Sequence, residues 1–343
     1  MTTRLSVGIS AYNQGKYLRA TLESLLAQEV PPYELVVSND HSTDETASVL
    51  ADFRGRVRVI SPPHHLNIAE GLNYVLNELS GDWLAPMASD DVAKPNYVRV
   101  LLEGTTRSKN AVAVSGGWEF MDACGAPLEI HYLLSARKLT RPPETLLENL
   151  TAPKRHIFAS AFKRTAWEEA GGIPAECKFL GDWGLWLRLS SLGDFICERK
   201  VITGYRTGCR PGQELERLAE ELRAEERICT VILREAAQKA GLEGSPVLAK
   251  ARRQSFTRRL CQLSRLFPMD KRAEVADSLR AWAKSAGAER ELEAFRSGKV
   301  FKPPAQPFRS ALRKAVRKIS FLIATSGIRR GVRGGPQGKG VAV

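Results

Sequence analysis

Residues 33–53 read YELVVSNDHSTDETASVLADF. The first six are a short apolar run of strand character, closed by Asn39 and Asp40. Residues 43–53 then space their apolar positions as a helix does, with Ser42 or Thr43 near its cap. The same unit of strand, acidic loop and helix returns at residues 82–88, where Ser89-Asp90-Asp91 leads to a helix from about Pro95. Around these units lie strand-like runs at 4–10, 57–60 and 111–116 and helical patterns at 14–28 and 70–79. Alternation at this spacing predicts an α/β fold, a doubly wound and mostly parallel central sheet. Ligands of such sheets sit in the crevice beyond the carboxyl ends of the strands, which is where Asp40, Asp90 and Asp91 fall.

Past residue 116 the rhythm loosens. Residues 119–150 read as strand or loop and then a helix at 144–150. A strand fits 157–163, a short helix 165–170, a helix 182–192 and a strand 195–205. From residue 212 the pattern is helical, over 214–240, 247–266, 271–286 and 289–295. The expected organisation is a catalytic α/β domain at 1–210, a helical extension at 211–300, and a basic tail at 301–343.

The 343 residues carry 51 Lys and Arg against 38 Asp and Glu, a net charge of +13. Ten of the basic residues and no acidic one lie in residues 301–343, so the first 300 residues are nearly neutral. Basicity therefore gives no argument for nucleic acid in the main body, and none is expected as a partner. The tail pattern around 309–324 puts Arg309, Arg313, Lys314, Arg317 and Lys318 on one face and Phe308, Leu312, Val316, Ile319, Leu322 and Ile323 along another, which suits either a helix lying on an anionic membrane surface or one docked on the protein with its basic face exposed. No apolar run approaches the roughly 18–20 residues of a spanning helix. The N-terminus has no signal-peptide pattern, and the six cysteines include no CxxC pair. The expected place is the cytoplasm, either free or, through the tail, peripheral on the inner face of the cell membrane.

Three acidic sets stand at loops: Asp40, the pair Asp90-Asp91, and Asp182 at the head of a helix in Gly181-Asp182-Trp183. A lone aspartate after a strand is commonly a turn or cap residue. Adjacent carboxylates repel each other unless a cation joins them, and hard divalent metals take such oxygen ligands.

In order, Ser6 to Asn13, Asn39 to Asp44, Asn67 to Asn73 with Gly81 to Leu84, Ser89-Asp90-Asp91, and Gly171-Gly172 with Gly181 to Arg188 resemble the motifs of the family 2 inverting glycosyltransferases of the GT-A fold, over about 200 residues. The resemblance implies a hexosyltransferase that moves one sugar from a UDP- or dTDP-linked donor to a glycan or lipid-linked acceptor, in cell-envelope polysaccharide synthesis. It implies that Asp40 bonds the nucleotide base, that Ser10, Ala11 and Tyr12 line the base and ribose pocket, and that Asp90 meets the ribose or a metal-bound water. By the same resemblance Asp91 ligates Mg or Mn and Asp182 is the general base. Trp183 beside it is a candidate for stacking on an acceptor sugar or for the core, Trp186 belongs to the core, and His156 and Arg188 are secondary candidates for phosphate contact.

The chain departs from the family pattern in places. Asn39 stands for an Asp, His41 for a Gly, and Gly181 for a Glu. Thr207-Gly208-Cys209 follows Tyr205-Arg206 where many relatives place a metal-binding His. The absence of Gln-x-x-Arg-Trp disfavours a processive synthase. The rival readings are a non-catalytic nucleotide-sugar binding module of the same fold and a sugar-phosphate nucleotidyltransferase, whose Gly-rich N-terminal loop is lacking.

Overall fold

The computed structural model describes residues 3–132, 138–207, 214–267, 269–299 and 301. The strands are β1 (Leu5–Ala11), β2 (Glu34–Asn39), β3 (Arg58–Ile60), β4 (Trp83–Ala88), β5 (Val92–Ala93), β6 (Ala111–Met121), β7 (Pro127–Tyr132), β8 (Lys138–Thr140), β9 (Ser160–Lys163) and β10 (Asp194–Arg206). The helices of the α/β part are α1 (Gly15–Leu26), α2 (Thr46–Asp52), α3 (Ile68–Asn77), α4 (Tyr97–Thr105), α5 (Glu144–Asn149), α6 (Arg164–Ala170) and α7 (Gly181–Leu189). Then come α8 (Glu214–Arg227), α9 (Leu233–Lys239), α10 (Pro246–Leu266), α11 (Arg272–Ser278), α12 (Arg280–Ala286) and α13 (Glu289–Arg296).

The sheet runs β3-β2-β1-β4-β9-β6-β10-β5, with β7 beside β6 and β8 beside β10. β1 pairs in parallel with β2 and β4, and β6 with β10. β9 is antiparallel to both β4 and β6, so β4 and β6 point the same way. The carboxyl ends of β1, β2, β4, β6 and β10 and the amino end of β9 therefore share one edge. The expected α/β sheet is present, with antiparallel strands added on its second half, where short connections replace helical crossovers.

One face of the sheet is covered by α1, α2 and α4, through Leu18, Leu22, Leu25, Leu50, Val98 and Leu101. The other is covered by α3, α6 and α7, through Leu72, Val75, Trp167, Leu185 and Trp186. Trp186 is fully enclosed between Phe162 and Phe195, ring centroids 5.2 and 5.5 Å away, as its place on the apolar stripe predicts. A third core unites Leu146 of α5 and Trp183 and Leu187 of α7 with Phe256, Leu260 and Trp282 of the later helices. In it the buried Glu225 carboxylate accepts from Arg258 Nη2 and Arg259 Nε, both at 2.6 Å, and Arg258 also donates to Thr151 O. Pairing and hydrogen bonding make a buried charge tolerable there.

Local chemistry explains the boundaries that differ from expectation. α2 begins at Thr46 rather than 43, because Asp44 Oδ1 takes the Thr46 N–H at 3.0 Å and holds the loop out of the helix. α3 begins at Ile68, where Asn67 and Glu70 close a reciprocal capping box. β6 runs on to Met121, and the long helical patterns break, at a π turn over Ile228–Ile232 and near Leu279. The expected helix at 309–324 lies outside the described residues.

Candidate active site

At the shared edge, Ser10 and Ala11 end β1, Asn39 and Asp40 end β2, and Ser89, Asp90 and Asp91 follow β4. The register sets Ala11 opposite Asn39 and Ser10 opposite Ala88, so backbone pairing alone brings three loops together. Asp40 is 3 % exposed. Its carboxylate accepts the Leu66 N–H at 3.1 and 3.2 Å, and His65 Nδ1 lies 3.0 Å from Oδ2. With about four lone-pair positions on a carboxylate, these contacts leave one for a ligand N–H. The His65 ring lies 4.2 Å from that of Tyr12, which is 45 % exposed. Tyr12 thus presents an aromatic face at the mouth of this pocket.

His41, in the position of the family's glycine, takes a φ of +55°, the left-handed conformation glycine adopts without strain. Its Nε2 lies 3.0 Å from Pro62 O. Asn39 Oδ1 accepts the Ser42 N–H at 3.2 Å, closing the turn that an aspartate would close.

Asp91 is 1 % exposed. Oδ1 accepts the Arg206 backbone N–H at 2.8 Å, while Oδ2 is enclosed with no hydrogen-bond partner among the described residues. Burial first, and then the neighbouring Asp90, holds this carboxyl well above the usual carboxylate range, against the Arg206 N–H and its charge. Arg206 Nε donates to Asp90 O at 2.7 Å and Nη1 to Ala123 O at 3.2 Å, and its guanidinium lies 4.9 Å from the Tyr17 ring centroid. Thr21 Oγ1 donates to Asp91 O at 2.7 Å and to Ser89 O at 3.1 Å. The acidic loop is therefore fastened from β10 and from α1, with one carboxylate oxygen held unpaired. Two adjacent carboxylates and an orphaned oxygen fit a hard divalent cation, which commonly takes one or two carboxylates and completes its shell with phosphate and water. Among the described residues no group of three or more His, Cys, Asp or Glu could hold a metal by itself.

Asp182 enters from the other half of the chain. Asn73 of α3 donates to Ile173 O at 2.7 Å and accepts the Ile173 N–H at 2.8 Å. That clasp, and not a ligand contact, is the work of Asn73, as Asn67's is to cap α3. Gly181 lets α7 approach closely, since a Cβ there would stand 2.4 Å from Ile173 Cγ2 and 3.6 Å from Ala69 Cβ. Ala69 is in the first turn of α3, three residues past Leu66, whose N–H binds Asp40. Ser10 Oγ also faces α3, 2.6 Å from a Cβ built on Gly71. The segment from Leu66 through the first turn of α3 thus lies against Asp40, Ser10 and Gly181, the residue before Asp182. Asp182 Oδ1 accepts the Trp183 N–H at 2.7 Å. The carboxyl is partly accessible but hemmed in by protein, and this desolvation pushes it up to about 6, near the operating range of a general base.

Gly172 has a φ of +67°, and a Cβ on it would stand 2.7 Å from Asn73 Oδ1. Gly172→Ala is expected to cost about 2–3 kcal/mol, measurable by urea unfolding, and to loosen the clasp that seats α7. An unchanged unfolding midpoint would contradict this account of the turn.

Trp183 requires a correction. Its indole is 2 % exposed, donates to Asn149 O at 2.7 Å and packs in the third core, so no ring face is open to an acceptor sugar. Of the secondary candidates, His156 is enclosed by Trp118, Phe158 and Tyr205, and burial drives it down to about 4, hence neutral. Arg188 donates to Ala170 O at 3.4 Å. His65, Thr21 and Arg206 also border the candidate site and are not among the residues the sequence singles out. Only Arg206 left a sequence trace, at the end of its strand.

Residues 6–169 match the model of the family described as glycosyl transferase family 2. Over 214 residues, 60 % of the chain, the sequence is 27 % identical to a chondroitin synthase of Pasteurella multocida, spanning 21 % of that protein's length. It is 30 % identical over 120 residues, 34 % of the chain, to an uncharacterized glycosyltransferase of Haemophilus influenzae, of which it spans 37 %. Among solved structures, residues 1–349 of S. aureus TarS in complex with UDP-GlcNAc superpose with a TM-score of 0.57 at 17 % identity, over 88 % of this chain and 93 % of that one. The mannosyltransferase PcManGT of Pyrobaculum calidifontis, in complex with GDP-Man and Mn2+, gives 0.51 at 15 % identity, over 86 % of each chain. Motif order, sheet topology and these likenesses agree on a GT-A fold, and residues 6–169 of the chain carry the match to glycosyl transferase family 2.

Proposed function

We propose that the chain is an inverting glycosyltransferase that moves a single sugar from a UDP- or dTDP-linked donor to a glycan or lipid-linked acceptor. The observation that carries this reading is the segment from Leu66 through the first turn of α3, which holds Asp40 on one side and packs against Gly181, the neighbour of Asp182, on the other. Tyr12 with Ser10 and Ala11 forms the wall for base and ribose, and the remaining lone pair of Asp40 accepts an imide N–H, which uracil and thymine both carry. Asp90 and Asp91 would hold Mg or Mn against the donor diphosphate. When bound, such an ion neutralises the charge that grows on the leaving group.

A sugar hydroxyl is a poor nucleophile, so Asp182 accepts its proton as the oxygen attacks the anomeric carbon. The C–O bond to the diphosphate breaks from the opposite face, and the configuration inverts in one step. TarS and PcManGT, seen with UDP-GlcNAc and with GDP-Man and Mn2+, support a nucleotide-sugar donor and a divalent cation. Among the described residues no helix is long and apolar enough to cross a membrane, and the reading places the protein in the cytoplasm with its tail against the membrane.

A panel of UDP- and dTDP-sugars with manganese, scored by thermal shift, tests the reading. A ligand at a hundredfold excess over its Kd stabilises by about 2.7 kcal/mol, a rise in Tm of roughly 4 °C for a chain of this size. Binding without sugar transfer to any acceptor would favour the non-catalytic module. No shift with any nucleotide would remove both.

A further inference from the structure

A second feature lies outside the nucleotide crevice, in the helical part. A cleft of about 270 Å³ opens between α9 and α10, lined by Arg234, Glu243, Ser245, Leu248 and Arg252. We propose that this cleft binds a phosphoryl group, gripped by the guanidinium groups of Arg234 and Arg252. The inference goes beyond the transfer reading and does not depend on it.

Other half-buried or buried arginines of the helical part are satisfied: Arg258 and Arg259 by Glu225, and Arg272 by Ser264 O and Phe267 O. Arg252 differs. Its Nε is enclosed by protein and donates to nothing among the described residues. Burial, and then the nearness of Arg234, holds its guanidinium below the ordinary value. Two like charges are thus set close together, one with a hidden and unused donor, an arrangement that costs stability unless an anion joins it.

The start of α10 adds no free backbone N–H beside the Ser245 hydroxyl. Pro246 has no N–H, and the Val247 N–H is taken by Ser245 Oγ at 3.3 Å. Recognition therefore rests mainly on the guanidinium pair, with the Ser245 hydroxyl beside it. A planar carboxylate satisfies one guanidinium fork, whereas a tetrahedral phosphoryl group with three oxygens can span two forks from two helices. Glu243 on the rim sets a counterweight, because its negative charge opposes an anion. The chemistry is that of a phosphoester, which could be carried by a soluble phosphorylated glycan or by a lipid headgroup.

The test uses the full chain with inorganic phosphate as the probe, titrated by calorimetry at low salt with UDP present to fill the nucleotide crevice. Saturable binding is expected. Arg252→Gln and Arg234→Gln should each weaken it by at least about tenfold. Glu243→Gln should tighten it, which a merely structural role for these residues would not do. Equal phosphate affinity in the wild type and both arginine variants, or binding that does not saturate, overturns the site. Sedimentation with phosphatidylcholine vesicles, with and without phosphatidic acid, separates the sources. Loss of phosphatidic acid-dependent sedimentation in Arg252→Gln assigns a lipid headgroup, and equal sedimentation beside lost phosphate binding assigns a soluble phosphoester. Failure of the wild type to bind UDP would count against the transfer reading while leaving the phosphate result intact.

Discussion

Asp182→Asn is expected to lower sugar transfer by a factor of about 10²–10⁴ while leaving UDP affinity within about twofold. The amide keeps the shape and can still accept the Trp183 N–H, so what is lost is the proton acceptor alone. In the wild type the carboxyl titrates at about 6. Transfer should therefore rise with pH through that value and level off above about 7. The same shift has a thermodynamic side. The folded value lies above the ordinary 3.8, so the folded state binds more protons between the two values. Its contribution to stability is present below about pH 4 and lost as pH rises through about 6. Asn at this position should accordingly be more stable than wild type at pH 8, by roughly 1–3 kcal/mol, and nearly equal to it at pH 4. Unaltered transfer would dismiss Asp182 as the base. A variant with the wild-type stability profile at both pH values would dismiss the desolvation argument instead.

The second large effect is expected at Asp91. Outer-shell changes around a metal already weaken its binding by about 10–100-fold, and loss of a ligand should do at least as much. Asp91→Asn should thus remove most of the gain in UDP affinity that manganese confers. The amide can retain the bond from the Arg206 N–H while removing a buried charge that faces Asp90. In chelator, the variant should then unfold at a higher temperature than the wild type. Calorimetry of UDP with manganese and with chelator, beside thermal unfolding in each, reads both outcomes. Equal UDP affinity with and without manganese in the wild type would count against a metal at this loop.

The half of the site built on β1, β2 and β4 was legible because each strand is a short apolar run stopped by a polar residue, and parallel register converts those stops into one edge. Asp182 was legible because a small residue and an acid open a helix whose apolar positions repeat. The second half of the sheet was not. β6 continues through Gly116 and Gly117 to Met121 and pairs with β10 through several register shifts, so neither strand shows a clean period of two. His65 stands in a loop with no pattern, and only the fold brings it to Asp40 and Tyr12. Trp183 was ambiguous because an indole beside a carboxylate reads equally as a sugar platform or as core, and the helices after residue 213 decide for the core.

The core shared by α5, α7 and the later helices bears on how such proteins could exchange parts. A cut after residue 207 would uncover Trp183 and Leu187 on the helix that carries Asp182, and would strip Arg258 from Thr151. A helical segment grafted from a relative would therefore have to bring a matching surface for α7, or replace α7 along with it. Recombination at the apparent seam between sheet and helices should yield chimaeras that bind nucleotide weakly or fold poorly. Exchanges that keep α5, α7, α8 and α10 from one parent should survive.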